Sequence, residues 1–383
     1  MKKRDRIIRK KISLQLCFLL ISSFFIACES RDPCQNDHQK WGLWSQKTTC
    51  LRGANIWQKV LRNEDNTTLG PDPIGPPYSQ QDFDQLSKLG ANFVIISHPG
   101  LYTETPPYTL NIQVQENLDQ ILKRVEKARM FAVIAFRTGP GRNEADFYQN
   151  GEEPLRDIWI SEEAQNAWVE MWQVAAKRYK DHPIIVGYEL MVEPHLDEEV
   201  SPSGLDWNQL SIEISRVIRE VDTETPILIS SMNWGHPSGL AALKISEDSK
   251  TVYAVHQYEP HRYTHQIHTG EQTDFVSKNL LKTYLSPIKT FQHSYGQAVA
   301  ITEFGVKRFA PEADRFLENE MSLFEKLGVN YAFWLWESSY GGINYDDFNL
   351  RFGPNPENHR EEPNELMKVI QDYFSRNSVR PAP

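Results

Sequence analysis

Short apolar runs alternate along the chain with longer segments in which apolar residues recur at helical spacing. The run at Ile184 begins with β-branched residues and ends on Glu193, which is followed by proline. A second run, at 298–305, is apolar until it presents Glu303. Runs of this kind are typical of buried parallel strands. We therefore expect two buried strands that each deliver one carboxylate at the carboxyl-terminal end.

The same alternation continues from residue 52 to residue 375. Strands are predicted at 52–57, 91–98, 131–137, 184–193, 227–232, 252–258, 298–305 and 330–336. Helices are predicted at 80–89, 113–129, 161–180, 206–221, 239–245, 274–294, 312–327 and 364–375. Strand–helix alternation implies a parallel sheet, and eight units favour a closed (β/α)8 TIM barrel in a single domain. No glycine-rich phosphate-binding motif follows a strand, which argues against a dinucleotide fold, and no cofactor is expected.

The amino terminus differs in composition from the rest of the chain. Residues 1–11 contain seven basic side chains, and an apolar stretch follows at 12–27. This layout predicts a signal peptide at 1–27, because the apolar stretch is shorter than the roughly 20 residues of a membrane-spanning helix. Residues 25–28 resemble a bacterial lipobox, which predicts lipidation at Cys28. The alternatives are a plain signal peptide cut nearby and an uncleaved anchor.

These features predict a membrane-anchored lipoprotein of a bacterial cell envelope, with a secreted soluble protein as the alternative. Removal of the signal leaves Cys34 and Cys50 beside the lipidated cysteine. In an oxidising compartment this pair is expected to form a disulfide, and two free thiols are the alternative. We interpret residues 28–50 as a tether or amino-terminal extension, and residues 51–383 as the barrel domain.

Charge and aromatic content narrow the choice of partner. Residues 1–27 carry seven basic side chains and one acidic one; the 34 basic and 50 acidic side chains elsewhere give a net charge of −16. A surface this acidic argues against nucleic acid as a partner. Aromatic residues make up 11% of the chain, including ten tryptophans, which suits stacking on sugar rings as well as ordinary core packing.

The active site of such a barrel forms at the carboxyl-terminal ends of the strands. Polar and aromatic residues occupy most of these ends: His98, Arg137, Glu193 with His195, Asn233, Trp234, His256, Tyr258, Glu303, and Trp334 or Trp336. The longest loops, at 138–160, 258–273 and 338–362, lie on the same face and contain further aromatic residues. Long aromatic loops at the mouth suit an extended neutral ligand.

Two carboxylates that flank one bond are the requirement for glycoside hydrolysis. One carboxyl protonates the leaving oxygen, and the other attacks the sugar or activates water. The alternative is that Glu193 and Glu303 are separate structural acids, each paired with an arginine or capping a helix. Their positions on the fourth and seventh strands favour catalysis.

These residues resemble glycoside hydrolase family 5, within the cellulase-like clan of retaining barrel enzymes. The resemblance rests on the two glutamates, on His-x-Tyr after the sixth strand and on tryptophan at the eighth. It implies that Glu193 is the acid/base and Glu303 the nucleophile, with His256 and Tyr258 as a supporting pair near the nucleophile. It also implies a sugar platform at Trp336, with Trp334 as the alternative. Retention of configuration implies carboxyls about 5–5.5 Å apart.

The implied chemistry sets requirements on protonation. The acid needs a raised pKa, which burial or the charge of Glu303 can supply, and a hydrogen bond from Tyr258 is expected to keep Glu303 ionised.

The expected partner is an oligosaccharide or polysaccharide substrate, and the expected oligomeric state is a monomer.

Two positions depart from the family pattern. Val192 stands where the family has an asparagine that contacts the sugar 2-hydroxyl, and Ile95 stands where it has an arginine near the nucleophile. Arg137 is a candidate to replace that charge. His195 and Asn233 are candidates to reach the 2-hydroxyl.

The departures favour a second interpretation, a carbohydrate-binding surface lipoprotein that keeps the barrel but has impaired turnover. A third is a metal-dependent barrel hydrolase, suggested by clustered histidines at 256, 261, 265 and 268. Their spacing fits no compact zinc pattern and no cysteine accompanies them, so no metal is expected.

Overall fold

The structure is a computed structural model, and it describes Cys34 and residues 40–60, 74–147, 153–196, 204–267, 276–340 and 347–382. The predicted signal peptide at 1–27 and the predicted lipidation site Cys28 lie outside the described residues. No helix within the described ranges is long and apolar enough to cross a membrane.

Eight of the apolar runs form one closed barrel of parallel strands. The strands are β1 (Arg52–Trp57), β2 (Phe93–Pro99), β3 (Phe131–Thr138), β4 (Ile185–Glu189), β5 (Ile227–Ser230), β6 (Thr251–Gln257), β7 (Ala298–Phe304) and β8 (Asn330–Phe333). Each strand pairs with the next along the chain, and β8 closes the barrel on β1, with Tyr331 opposite Arg52. The predicted TIM barrel is confirmed.

Helices surround the barrel. The longer ones are α1 (Gln80–Lys88), α2 (Ile112–Lys127), α3 (Glu162–Tyr179), α4 (Trp207–Arg219), α5 (Lys278–Tyr284), α6 (Ser286–Tyr295), α7 (Ala313–Leu327) and α8 (Glu365–Phe374). Short helical turns lie at Gly42–Ser45, Glu144–Asp146, Asp157–Ile160, Pro237–Ala242, His261–Thr264 and Leu350–Phe352. A small antiparallel pair, Lys59–Val60 with Ile74–Gly75, follows β1.

Two predicted helices differ from the observed ones. The helix predicted at 274–294 is two helices, because Pro287 cannot donate to the preceding turn and the second helix restarts at Ser286. The helix predicted at 239–245 is a 3₁₀ segment that begins at Pro237. Neither difference changes the order of the strands.

The core has an inner and an outer layer because successive strand residues face opposite sides. Inside the barrel, side chains such as Ile95, Val133 and Val192 form one apolar cluster. Residues of the opposite parity, such as Val94 and Ile134, pack against the helices. The parity of a strand residue therefore decides whether its side chain can reach the barrel mouth.

The described residues before β1 pack against the amino-terminal end of the barrel. Trp44 joins the inner cluster, and its Nε1 donates to the Val186 carbonyl at 2.8 Å. Cys34 and Cys50 form a disulfide. Asn330 on β8 accepts hydrogen bonds from the amides of Cys50 and Leu51, which fixes the entry of the chain into β1.

Candidate active site

A layer of polar side chains lies inside the barrel at the carboxyl-terminal ends of the strands. It consists of Asn55, Ser97, Arg137, Glu189, Ser230, His256, Thr302 and Glu303, all buried. Above it opens a cavity of about 870 Å³. The polar residues that line the cavity are Arg137, Glu193, Asn233, His236, His256, Glu259, His261, His265, Glu303, Lys307 and Asp347. The aromatic ones are Phe147, Trp234, Tyr258, Trp334 and Phe348.

Glu193 and Glu303 meet at the floor of this cavity, with His256 between them. His256 Nδ1 lies 2.9 Å from Glu193 Oε1 and 3.4 Å from Glu303 Oε2. One oxygen of each carboxyl and one nitrogen of the imidazole all lie within 4.8 Å of one another. This separation fits the roughly 5–5.5 Å of a retaining pair and not the roughly 6.5–9.5 Å of an inverting pair.

Glu193 reaches the site from a loop rather than from the strand itself. β4 ends at Glu189, and Glu193 has a φ of +49°, which is uncommon for a residue other than glycine. Arg142 fixes this conformation by donating to the carbonyls of Val192, at 2.6 Å, and Glu193, at 2.8 Å. Asp146 in turn accepts from Arg142 Nε at 2.7 Å.

Glu303 is held by two neighbours. The Tyr258 hydroxyl donates to Glu303 Oε2 at 3.0 Å. Arg137 Nη1 lies 3.8 Å from Glu303 Oε1, and the guanidinium packs 4.0 Å from the ring centre of Phe147 and 5.2 Å from that of Trp334. A positive charge therefore stands beside Glu303.

The two carboxyls differ in proton affinity. Burial raises the pKa of Glu303 to about 7, although the charge of His256 opposes the rise. Burial also acts to raise the pKa of Glu193, but the hydrogen bond and charge of His256 outweigh it, and that pKa lies below its usual range. Burial opposes the charge on His256, yet the surrounding carboxylates raise its pKa to about 10.

The pKa of Glu303 is thus raised and that of Glu193 lowered. These directions are opposite to the expected ones, in which the acid Glu193 has the raised pKa. The cause is that His256 Nδ1 lies closer to Glu193 than to Glu303.

Two residues that were predicted to contact the substrate, His98 and Trp336, do not line the cavity. His98 belongs to the outward parity of β2, so it is buried beneath the helices, with Nε2 2.9 Å from Asn117 Oδ1. Trp336 lies beside α1, where its Nε1 donates to the Asp82 carbonyl at 2.9 Å, and the Arg351 guanidinium packs on its ring. Trp334, the alternative platform, lines the cavity.

His195 supports an aromatic wall instead of facing the cavity, which corrects its prediction as a substrate contact. It is buried, and its ring stacks on Trp234 with centroids 3.4 Å apart. Trp234 is 41% exposed at the mouth, and Phe147 packs edge-on against it. Asn233 and Trp234 both have left-handed backbone conformations, with φ of 63° and 60°.

The two departures from the family pattern are apolar in the structure as well. Val192 and Ile95 both belong to the inner cluster. Val192 has no group that can bond a sugar hydroxyl. The charge missing at Ile95 is present on β3 instead, in the side chain of Arg137.

The histidines of the loop after β6 gather no metal ligands among the described residues. His261 and His265 stack on each other with centroids 3.8 Å apart, and His268 lies outside the described residues. Within the described ranges, the one group of three potential ligand atoms is Glu193, His256 and Glu303, the residues expected for hydrolysis.

Comparison with known proteins identifies the class. Residues 47–339 match the sequence model of the family described as Cellulase (glycosyl hydrolase family 5). Endoglucanase C of Acetivibrio thermocellus is 25% identical over 269 residues, which cover 61% of this chain and 74% of that protein. Thermotoga maritima Cel5A, solved as a mutant with cellobiose, superposes with a TM-score of 0.63 at 20% identity, covering 90% of this chain and 99% of that one.

Pseudomonas stutzeri endoglucanase Cel5A gives a TM-score of 0.64 at 18% identity, covering 87% of this chain and 97% of that one. The barrel and the family match together define a glycoside hydrolase. The chain belongs to glycosyl hydrolase family 5, and it is a retaining enzyme with a carbohydrate substrate.

Two of the residues that sequence reasoning missed, Arg142 and Glu189, support the proposed catalytic carboxyls. Arg142 was one charged residue among several in a long loop, and nothing in its neighbours indicates that it fixes the Glu193 backbone. Glu189 lies within a run whose other residues are mostly apolar, which was a signal in itself, because a buried glutamate in a strand needs partners.

Proposed function

We propose that the protein is an envelope-anchored endoglycanase that cleaves β-linked glucans with Glu303 as nucleophile and Glu193 as acid/base. The observation that carries the proposal is the pair of carboxyls within 4.8 Å at the floor of an open, aromatic-walled cavity. The named relatives are endoglucanases, which supports a β-glucan as the substrate.

The reaction follows from the two carboxyls. Glu303 attacks the anomeric carbon while Glu193 gives its proton to the leaving oxygen, so the glycosidic bond breaks and a glycosyl ester forms on Glu303. Glu193, now ionised, takes a proton from water, and the resulting hydroxide displaces Glu303 and releases the sugar. No other reactant is consumed.

These roles require the proton on Glu193 and an ionised Glu303 when the sugar is bound. His256 Nδ1 hydrogen-bonds Glu193 Oε1 at 2.9 Å and lies 3.4 Å from Glu303 Oε2, so it is close enough to serve either carboxyl. We propose that its hydrogen bond passes from Glu193 to Glu303 as the substrate enters. Arg137 and Tyr258 then hold the charge on Glu303.

The aromatic walls supply the binding surface. Trp234 and Trp334 both line the cavity. Trp234 lies on the loop after β5, and Trp334 follows the end of β8. Aromatic rings and sugar faces pack well because both are flat and partly apolar. We propose Trp234 as an outer platform and Trp334 as the platform at the cleaved bond.

The test is hydrolysis of soluble β-glucans and aryl β-glucosides by the purified protein, its Glu193→Gln and Glu303→Gln variants, and a Glu320→Gln control. Glu320 is a fully buried glutamate on α7 that does not line the cavity. Loss of about 10²-fold or more in both catalytic variants, with the control unaffected, supports the roles. Activity near wild type in either catalytic variant contradicts them.

The second candidate is a binding protein with impaired turnover, which the apolar Val192 favours. If the protein is a binder, the wild type shows no turnover, and Glu303→Gln retains the affinity for β-glucan. Isothermal titration with cellohexaose beside the hydrolysis assay separates the two functions.

We propose the envelope location from the amino-terminal sequence, with lipid on Cys28. The Cys34–Cys50 disulfide supports it, because such bonds persist in oxidising compartments. Cys28→Ala is expected to move the protein from the membrane fraction to the soluble fraction and to abolish fatty-acid labelling. Unchanged labelling in this variant contradicts the site.

A further inference from the structure

A third glutamate, Glu189, lies inside the barrel beneath the two proposed catalytic carboxyls. It ends β4 and is 1% exposed. Its Oε1 accepts hydrogen bonds from Ser230 Oγ at 2.7 Å and from Thr302 Oγ1 at 3.1 Å. Buried in this way, Glu189 has no access to a bound sugar, so any effect on the reaction passes through a neighbour.

That neighbour is His256. Its Nε2 lies 3.8 Å from Glu189 Oε1 and has no hydrogen-bond partner in the described part of the chain. Its Nδ1 faces the opposite way, toward Glu193 and Glu303. The ring therefore has carboxyl groups at both ends, and this arrangement favours the doubly protonated imidazolium, in which each nitrogen donates toward an acid.

The ring is also fixed from the side. Gly235 packs so closely that a Cβ at its position would lie 2.9 Å from His256 Cγ. The His256 amide donates to the Gly235 carbonyl at 2.7 Å. His256 therefore has little freedom to turn away from the acids above and below it.

We propose that Glu189 is a positioning residue that keeps His256 doubly protonated and aimed at the two catalytic carboxyls. His256 then determines which of the two holds their shared proton. The inference rests on the proposed roles of Glu193 and Glu303, since the charge on His256 matters to turnover only if those carboxyls react.

The charges around His256 agree with this role. Among the described residues, Glu189 faces it from β4, Glu193 from the loop after β4, and Glu303 from β7. Arg137 on β3 stands next to Glu303. Even with Glu303 protonated, two carboxylates face one guanidinium, and a proton on His256 offsets the excess of negative charge. The pKa of His256, raised to about 10, accords with this excess.

The test is Glu189→Gln in the full chain. Glutamine keeps the shape of the side chain and can still accept from Ser230 or Thr302, but it removes the charge. The pH at which His256 titrates, followed by ¹⁵N NMR of the imidazole, is expected to fall by about one or more. In the alkaline limb of the pH profile, where His256 loses its proton, a fall of one pH unit corresponds to a kcat about tenfold lower, with KM little changed.

Glu320→Gln is the matched control. Glu320 is fully buried and accepts from Gln257, the residue after His256, yet it does not face the imidazole. Burial raises its pKa well above the usual range, so the substitution removes no charge at neutral pH. In Glu320→Gln, the pH at which His256 titrates and the value of kcat are expected to match wild type, even if the melting temperature changes.

Unchanged His256 titration and unchanged kcat in Glu189→Gln overturn the inference, while the proposed function stands if Glu193→Gln and Glu303→Gln are inactive. Full activity in those two variants removes the proposed function itself. If Glu189→Gln does not fold, ¹⁵N NMR of the wild type at pH 8 tests the inference instead. Protons on both ring nitrogens of His256 are expected, and a single neutral tautomer overturns the inference.

Discussion

Arg137 on β3 places its Nη1 3.8 Å from Glu303 Oε1 on β7, on the far side of the barrel mouth. Both side chains are almost completely buried. Ile95, where the family pattern has an arginine, packs instead in the apolar interior. The charge that faces the proposed nucleophile therefore comes from β3 and not from β2.

Replacing Arg137 tests this relocated charge. Arg137 lowers the proton affinity of Glu303, so Arg137→Met is expected to raise the pKa of Glu303 above about 7. The acid limb of the kcat/KM profile, which requires ionised Glu303, then moves to higher pH. We expect kcat/KM to fall about 100-fold near neutral pH.

Arg178→Met is the control for that variant, because Arg178 pairs with Asp119 on the outer surface. Its pH profile is expected to match wild type. An unmoved acid limb in Arg137→Met would show that the charge on Arg137 does not act on Glu303.

The hydroxyl of Tyr258 is expected to stabilise ionised Glu303. Tyr258→Phe removes the 3.0 Å hydrogen bond to Oε2 and leaves the ring in place. A hydrogen bond to a charged group contributes about 1.5–3 kcal/mol, so kcat/KM is expected to fall by about 10- to 100-fold. The acid limb again moves to higher pH. Tyr263→Phe, which loses a bond to the Pro311 carbonyl, changes melting temperature but not the pH profile.

Val192 predicts weak discrimination at the sugar 2-hydroxyl. A valine side chain offers no donor or acceptor to the 2-hydroxyl. Wild type is therefore expected to hydrolyse an aryl glucoside and its 2-deoxy analogue with similar kcat/KM. Val192→Asn is expected to increase the preference for the 2-hydroxy substrate about 10-fold or more. Strong preference in wild type contradicts this and indicates that another residue, such as Asn233, makes the contact.

Val192→Asn also has a cost in stability. The side chain is buried in an apolar cluster, and an unpaired amide there lowers the free energy of unfolding by about 1–3 kcal/mol. Urea unfolding of this variant beside Val192→Thr, which buries a smaller polar group, measures the effect.

Arg142 is expected to be the main support of the Glu193 loop. Arg142→Met removes three bonds to backbone carbonyls and leaves Asp146 without its 2.7 Å partner, at a cost of about 3 kcal/mol in unfolding free energy. Burial opposes ionisation of Asp146, but Arg142 and His195 outweigh it, and the pKa lies well below its usual range.

Because the folded-state pKa of Asp146 is lowered, its contribution to stability is present at neutral pH and is lost as the pH falls. Wild type is therefore expected to lose more stability between pH 7 and pH 3 than the double variant Arg142→Met/Asp146→Asn. Equal losses contradict the role of this pair.

The order of strands and the meeting of Glu193 with Glu303 could be predicted because both follow from local rules. Apolar runs mark buried strands, and parallel strands bring their carboxyl-terminal ends to one face. His98 was misplaced although strand parity alone contains the answer. If Ile95 faces the barrel interior, then Ser97 does so too, and His98 faces the helices.

The remaining features depend on geometry that sequence periodicity does not encode. The register of β6 against β7 shifts between Val255 and His256, which brings His256 opposite Glu303. Glu193 turns into the site through a left-handed backbone that Arg142 holds from a distant loop. The stacking of His195 on Trp234 joins two loops whose relative position is fixed only in the folded barrel.

Covalent trapping of the glycosyl enzyme tests whether Glu303 is the nucleophile. A 2-deoxy-2-fluoro glucoside with an activated leaving group slows release of the glycosyl ester, so the ester accumulates for mass spectrometry of the digested protein. One glycosyl adduct per chain is expected, on the peptide that contains Glu303 and absent from Glu303→Gln. An adduct on Glu193, or steady hydrolysis through several turnovers with no adduct on either glutamate, would contradict it.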